Sequence, residues 1–446
     1  MTDTDALLGR AWHDDTSWEL LTRLTELPER MGGHPGERRA AGHVRESFEE
    51  SGIAGVEIEE FEMWRWDRGG AELAVTDPIE RSFETLALPY SAAGEVSGEL
   101  IDVGYGTPEE VEERDVGGKI AVASTTTPPE KGRFVHRMEK FGHAIAAGAE
   151  AFVFANHIPG QLPPTGALRF DAEAAAPGVG VSKEVGEWLT DYAEQGGRAK
   201  LSVQASTEKG TSQNVRGTLG EGSEEIVLLG HYDAHDIAEG ALDNGCGISV
   251  VAGAARLLAG MDLDCRVRVA GVGCEEVGLI GAGALAASLD LDSVRGVVNV
   301  DGAGRFRNLK AYTHGSEAIE ELVETTCGDW GQPVSFVRDP HPYSDHWPFL
   351  QRGVPALQLH SERARPAGGL RGRGWGHTHA DTRDKVDPRN LREHAMLTAL
   401  LVRELSRSEP PRIDEGELRE QLGENDAEIG MRAAEVWPDH WEYSSR

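Results

Sequence analysis

Residues 224–260 read EEIVLLGHYDAHDIAEGALDNGCGISVVAGAARLLAG. A continuous apolar run at 226–229 leads into a polar loop, and the loop into small and apolar residues at helical spacing. A strand buried on both faces reads as such an unbroken apolar run, and strand, loop and helix in that order are the unit of a parallel α/β sheet. The order recurs downstream. Strands are expected at EEIVLLG, CRVRVAGVG, GVVNVD, LKAYTHG, PVSFVRD and VPALQLH. Helices are expected at GISVVAGAARLLAG, GSEAIEELVETTC and LREHAMLTALLVRELSR. The fold class is therefore α/β, with a parallel sheet.

Working outward from that stretch, the chain divides into four segments. Residues 1–94 hold two amphipathic helical stretches, SWELLTRLTELPERM and GERRAAGHVRESFEESG, then two alternating strands, VEIEEFEMW and AELAVTD. They start a domain that finishes later. Residues 95–205 change texture to short strands punctuated by Gly and Pro, with few clustered ligand-type side chains. Residues 206–410 carry the repeated α/β units. Residues 411–446 read as an acidic, weakly periodic tail with one last helix around ELREQLGENDAEIGMRAAEVW.

The net charge is −32, from 76 Asp and Glu against 36 Arg and only 8 Lys. A field of that sign disfavours nucleic acid and anionic membranes as partners. The acids are spread along the whole chain and Lys is the depleted cation, which points to a protein kept hydrated in concentrated salt. The competing reading is a functional anionic surface. No apolar run approaches the roughly 18 residues of a membrane span. The N-terminus lacks the basic and apolar regions of an export signal, so a cytoplasmic location is expected. Four Cys without CxxC pairing read as small buried hydrophobes.

Ligands bind outside the carboxyl ends of strands in open α/β sheets, and here those ends are unusually polar. IVLLG runs into His231 and Asp233, VRVAGVGC into Glu275 and Glu276, and GVVNV into Asp301. Asp243 precedes a helix, and a loop after the last strand supplies His377, His379 and Asp381. Each piece alone is ordinary: a lone HxD is background, and acids often sit at helix starts. Taken in order they supply the inventory of a two-metal site, about five His or carboxylate ligands plus a separate general base.

HYDAHD…GALDNGCG, EEVGLIGA, NVDGAG, YSDHWPF and HTHADTRDKVD resemble the successive motifs of the co-catalytic di-zinc metallopeptidases. The resemblance covers roughly residues 206–410, and RMGGHPGERRAAGHVRESFEESG is similar to the family's N-terminal helical part. It implies a mixed, mostly parallel sheet sandwiched by helices, and two divalent ions, expected to be Zn2+. His231 and Asp301 would bind one and Glu276 with His377 the other, Asp243 bridging both. Glu275 would be the general base, and Asp233 would accept the free imidazole N–H of His231. In the family's HTxxDT pattern the first His is the ligand, which favours His377 over His379. Asp345 and His346 would brace the site floor, and Tyr343 would donate to the tetrahedral intermediate. The segment 95–205 resembles a smaller, β-rich protease-associated domain inserted in the peptidase.

The resemblance does not account for RARPAGGLRGRGWG, which places Arg363, Arg365, Arg371 and Arg373 just before His377. Arg binds carboxylates in a bidentate way, so Arg371 and Arg373 are candidates for holding a substrate carboxylate. The bland alternative is a Gly-rich loop whose cations answer nearby acids. The expected activity is that of a zinc exopeptidase, an aminopeptidase acting on peptides. A carboxypeptidase or dipeptidase, a glutaminyl-cyclase-like enzyme, and a non-catalytic binding protein are the alternatives. A homo-oligomer is compatible with the sequence.

Overall fold

The computed structural model describes residues 4–160, 162–363 and 375–443. The chain forms two compact units. One comprises Met1–Met63, Thr211–Leu370 and Asp381–Gln421; the other comprises Trp64–Gly210, Arg371–Ala380 and Leu422–Arg446. The strands in chain order are β1 (Ala54–Asp77), β2 (Arg81–Phe83), β3 (Leu86–Ala87), β4 (Gly94–Asp102), β5 (Ile120–Ser124), β6 (Ala151–Ala155) and β7 (Gly178–Val181). They continue with β8 (Arg198–Leu219), β9 (Glu225–His231), β10 (Arg266–Val272), β11 (Val294–Val300), β12 (Asn308–Tyr312), β13 (Val334–Val337) and β14 (Ala356–Glu362).

In the first unit the strand order is β13-β12-β14-β11-β9-β10, closed by the Val215–Leu219 end of β8. Pairings β12/β13, β14/β11, β11/β9 and β9/β10 are parallel, and β12/β14 and β10/β8 are antiparallel. All six expected strands of the segment and its three expected helices form. The sheet is mixed and mostly parallel, as the family resemblance implied. Every residue of β9 is buried, the signature of a central strand covered on both faces. The helix Cys246–Leu258 packs on β9, β10 and β11 and against the helix Pro388–Ser406. Gly247 permits that approach, because a Cβ there would collide with the Asn244 side chain and the Val300 carbonyl.

In the second unit the order is the N-terminal end of β8, then β4, β5, β6, β7 and β3. β4, β5, β6 and β7 are mutually parallel, flanked by antiparallel β8 and β3. Its core gathers Val103, Val111, Phe141, Phe152, Phe154 and Leu168.

Three features depart from the sequence reading. VEIEEFEMW and AELAVTD are one strand, β1, so the division of units falls at Met63 inside it rather than at 94. A small-residue helix, Ile280–Ser288, was not anticipated, since Gly and Ala carry little periodic signal. The acidic tail holds more than one last helix. It forms helices Glu415–Glu424, Ala427–Ala433 and Asp439–Tyr443, and the part from Leu422 belongs to the second unit. There Ala427–Ala433 packs on the helix Arg137–Ala146, at Gly142, where a Cβ would strike the Ala433 carbonyl.

Candidate metal centre

Three parallel strands of the first unit end side by side in charged residues. His231 closes β9, and its Nδ1 lies 3.2 Å from Asp233 Oδ1. Asp233 is fully buried and has two further bonds. The Glu275 N–H donates to Oδ1 at 3.1 Å and the Glu276 N–H to Oδ2 at 3.2 Å. One carboxylate thus orients an imidazole from β9 and the turn after β10 together. That turn requires a left-handed residue at Cys274, with φ +60°. Asp301 follows β11 directly, and its Oδ2 accepts from Ser344 Oγ at 2.7 Å and Gln358 Nε2 at 3.1 Å.

Asp243 sits on the loop after β9, preceding the helix, and that loop is held from several sides. Asp381 accepts from the Leu242 and Asp243 N–H groups at 2.6 and 3.1 Å. The buried Arg30 donates to the Gly240 carbonyl at 3.0 Å. Arg305 donates through Nε to the Leu242 carbonyl at 2.9 Å and brings Nη2 to 3.8 Å from Asp243 Oδ2. The Asp243–Asn244 peptide is cis. Asn244 ties the loop to β11, donating to Val300 O at 2.8 Å and accepting from the Gly247 and Gly302 N–H groups at 3.1 and 3.0 Å.

The donor atoms converge. Ligand atoms of His231, Glu275 and Asp301 lie within 4.8 Å of one another. Among the described residues His231 Nε2 has no hydrogen-bond partner; it faces Asp243 Oδ1 at 3.6 Å and Glu275 Oε2 at 4.0 Å. Burial pushes the Glu275 carboxyl well above its ordinary range, and Asp345, Asp301 and Glu276 add to the push. Burial and then Asp243 raise Asp301. Burial opposes charge on His231, yet Glu275, Asp233 and Asp243 together hold its pKa well above the usual value. Asp345 is buried, neither of its oxygens has a hydrogen-bond partner among the described residues, and burial raises its pKa as well. A buried crowd of acids is costly unless a cation shares it, and one imidazole plus carboxylates is a donor set that suits zinc. The residues fit a divalent metal.

His377 lies in the second unit with φ +58°. Its ring Nδ1 meets the Thr165 carbonyl at 3.1 Å, and the Thr165 N–H returns a bond to the His377 carbonyl at 2.9 Å. Donation from Nδ1 fixes the tautomer that leaves the lone pair on Nε2, the arrangement of a metal-binding imidazole. His377 also borders a cavity of about 470 Å3 within that unit, shared with Phe134, Phe154, Asn156, His157 and Thr165.

Other expected residues divide. His346 is buried, its Nε2 approaches the His341 carbonyl at 2.9 Å and its ring stacks on His314. Tyr343 is half-buried, edge-on to the His341 ring. Arg371 and Arg373 fall outside the described residues; of that loop, Arg363 lies over the Phe306 ring. The sequence reading missed His235, whose Nε2 is 2.9 Å from Glu276 Oε2. Its signal was the spacing His231-x-Asp233-x-His235, which puts three polar groups at intervals of two along one segment.

Residues 214–402 match peptidase family M28 and residues 92–189 match the PA domain. The aminopeptidase YwaD of Bacillus subtilis is 25% identical over 411 residues, 88% of this chain and 85% of that protein. Among solved structures, the aminopeptidase from Aneurinibacillus sp. strain AM-1 superposes with a TM-score of 0.67 at 25% identity, covering 90% of this chain and 95% of that one. BSAP, a zinc aminopeptidase from Bacillus subtilis, gives 0.68 at 26%, covering 87% and 94%.

Proposed function

The chain belongs to peptidase family M28 with an inserted PA domain, and from that membership we propose that it is a zinc-dependent aminopeptidase releasing N-terminal residues from peptides. The observation that carries this reading is the convergence of His231, Asp243, Glu275 and Asp301 from three adjacent strand ends and one braced loop, with Glu276 held beside Glu275 by Asp233. On this reading His231 and Asp301 would hold one zinc, Glu276 and His377 the other, and Asp243 would contribute to both. When bound, such a pair polarises the scissile carbonyl and lowers the pKa of the attacking water. Glu275 accepts the proton of that water and passes it to the leaving amine, a base that becomes an acid. Asp233 holds Glu275, Glu276 and His231 in register for this. Tyr343, Arg371 and Arg373 are the candidate substrate contacts.

The −32 charge supports a protein adapted to a salt-rich cytoplasm, and its activity should then hold or rise in molar KCl. No helix among the described residues is long and apolar enough to cross a membrane. The deciding experiment measures free amino acids released from a peptide library, with and without chelator. Release from N-terminally blocked peptides but not from C-terminally blocked ones would replace the aminopeptidase reading with a carboxypeptidase one.

A further inference from the structure

His235 is absent from the ligand set that the motifs imply, yet it is almost wholly buried against that set. Its Nε2 stands 2.9 Å from Oε2 of Glu276, and both side chains are less than a twentieth exposed. That distance is that of a charge-assisted hydrogen bond from an imidazole N–H to a carboxylate. Resting on the reading of Glu276 as a zinc ligand, we infer that His235 is a positioning residue, which donates to Glu276 Oε2 and thereby presents Oε1 to the metal.

The argument is one of satisfied valence. A buried carboxylate that binds a metal through one oxygen leaves the other oxygen's lone pairs out of water, and an unmet acceptor there costs about 1–3 kcal/mol or more. Metal-binding carboxylates are themselves hydrogen-bonded as a rule. Glu276 is then fixed at both ends by one segment. Its backbone N–H is held by Asp233 at 3.2 Å and its carboxylate by His235, two residues further on. The intervening residues serve other purposes: Tyr232 donates its hydroxyl to the Gln213 carbonyl, and the Ala234 backbone N–H donates to Arg30 O at 3.1 Å. His231, Asp233 and His235 together make the end of β9 and the segment after it a template that orders the acids of the turn after β10.

The test uses the full chain and zinc alone as probe. Zinc retained by wild type, His235→Ala, His235→Gln and Glu276→Ala is measured across a series of buffered free-zinc concentrations. Circular dichroism of the metal-free forms checks that each is folded. Glutamine places an N–H donor near the position of Nε2 without an imidazole lone pair. His235→Ala should weaken retention of one of the two ions about ten- to a hundredfold, and His235→Gln should recover most of that loss. Wild-type affinity for both ions in His235→Ala would overturn the inference. So would a His235→Gln protein as weak as His235→Ala, because the imidazole would then be a ligand itself. Glu276→Ala separates the two levels: if it retains both ions as tightly as wild type, the ligand reading fails rather than the role of His235.

Discussion

The carboxyl ends of β5 and β6 in the second unit and those of β9, β10 and β11 in the first are built on similar buried parallel strands, and they end differently. After β5 and β6 the chain carries polar groups with hydrogen-bond partners of their own. Thr125 Oγ1 meets His157 Nδ1 at 2.6 Å, and Asn156 donates to the Leu162 carbonyl at 2.8 Å. The Lys140 amine donates to the Ser124 and Thr126 carbonyls at 2.6 and 2.5 Å. A buried acid of that unit, Glu139, has its cation beside it, since Arg133 reaches both carboxylate oxygens at 2.7 Å. Burial works against its charge, but Arg133 and His143 outweigh burial and hold Glu139 below its ordinary pKa. At the ends of β9, β10 and β11 the acids outnumber the cations, and burial drives Glu275, Asp301 and Asp345 upward. A buried carboxylate with its own Arg is a structural device. Buried carboxylates gathered round one imidazole are a site for an added cation.

That contrast breaks if substitutions in the two regions have the same kind of effect. The largest is expected at Asp243. Asp243→Ala should abolish both zinc retention and peptide hydrolysis, read by metal analysis beside a turnover assay. Glu275→Gln comes next, lowering kcat by about 10²–10⁴, the usual worth of a general base, with zinc content unchanged; a variant that lost its zinc would make Glu275 a ligand instead. In the second unit Arg133→Ala should cost about 3–5 kcal/mol of stability by stranding a buried charge, with kcat on a small anilide substrate unaffected. The same ion pair loosens in acid. Glu139 is depressed in the folded chain, so its stabilisation is present above pH 4.5 and is lost as pH falls through the lower folded value.

Asp233→Asn tests the template from the other side. It should weaken zinc affinity about 10- to 100-fold while the fold, read by thermal melting, stays nearly as stable as wild type. The smallest effect is expected at Glu37, which burial, then Asp233, raises from 4.5 to about 8. A raised carboxyl stabilises the folded chain below pH 4.5 and gives that up as pH climbs through 8. The metal-free protein should therefore melt at lower temperature as pH rises over that interval, and Glu37→Gln should flatten the slope. An unchanged slope would show that Glu37 does not keep its proton when buried.

Local pattern made much of this molecule legible. Apolar runs such as Ile226–Leu229 mark central strands wherever they occur. The polar residues just after them have to lie at the sheet's carboxyl edge, because the next helix begins there. His231, Glu275, Glu276 and Asp301 were found on that logic, without knowledge of any contact. The unit boundaries were less visible, because β1 runs through one of them with no break in composition. The second unit's hold on the C-terminal helices was hidden too, since it depends on Arg133 reaching the Asn425 and Asp426 carbonyls.

The linear chain, then, determined the parallel α/β class and the strand ends at which charged side chains gather, since both follow from residue spacing within a dozen positions. Only the tertiary structure decided which groups govern those side chains. Asp233 spanning two strands, Arg305 and Asp381 bracing the Asp243 loop, and His235 facing Glu276 are pairings over distances in sequence of about forty residues or more. A hydrogen bond depends on a few tenths of an ångström, and that precision is set by packing of the whole core rather than by any local run of residues.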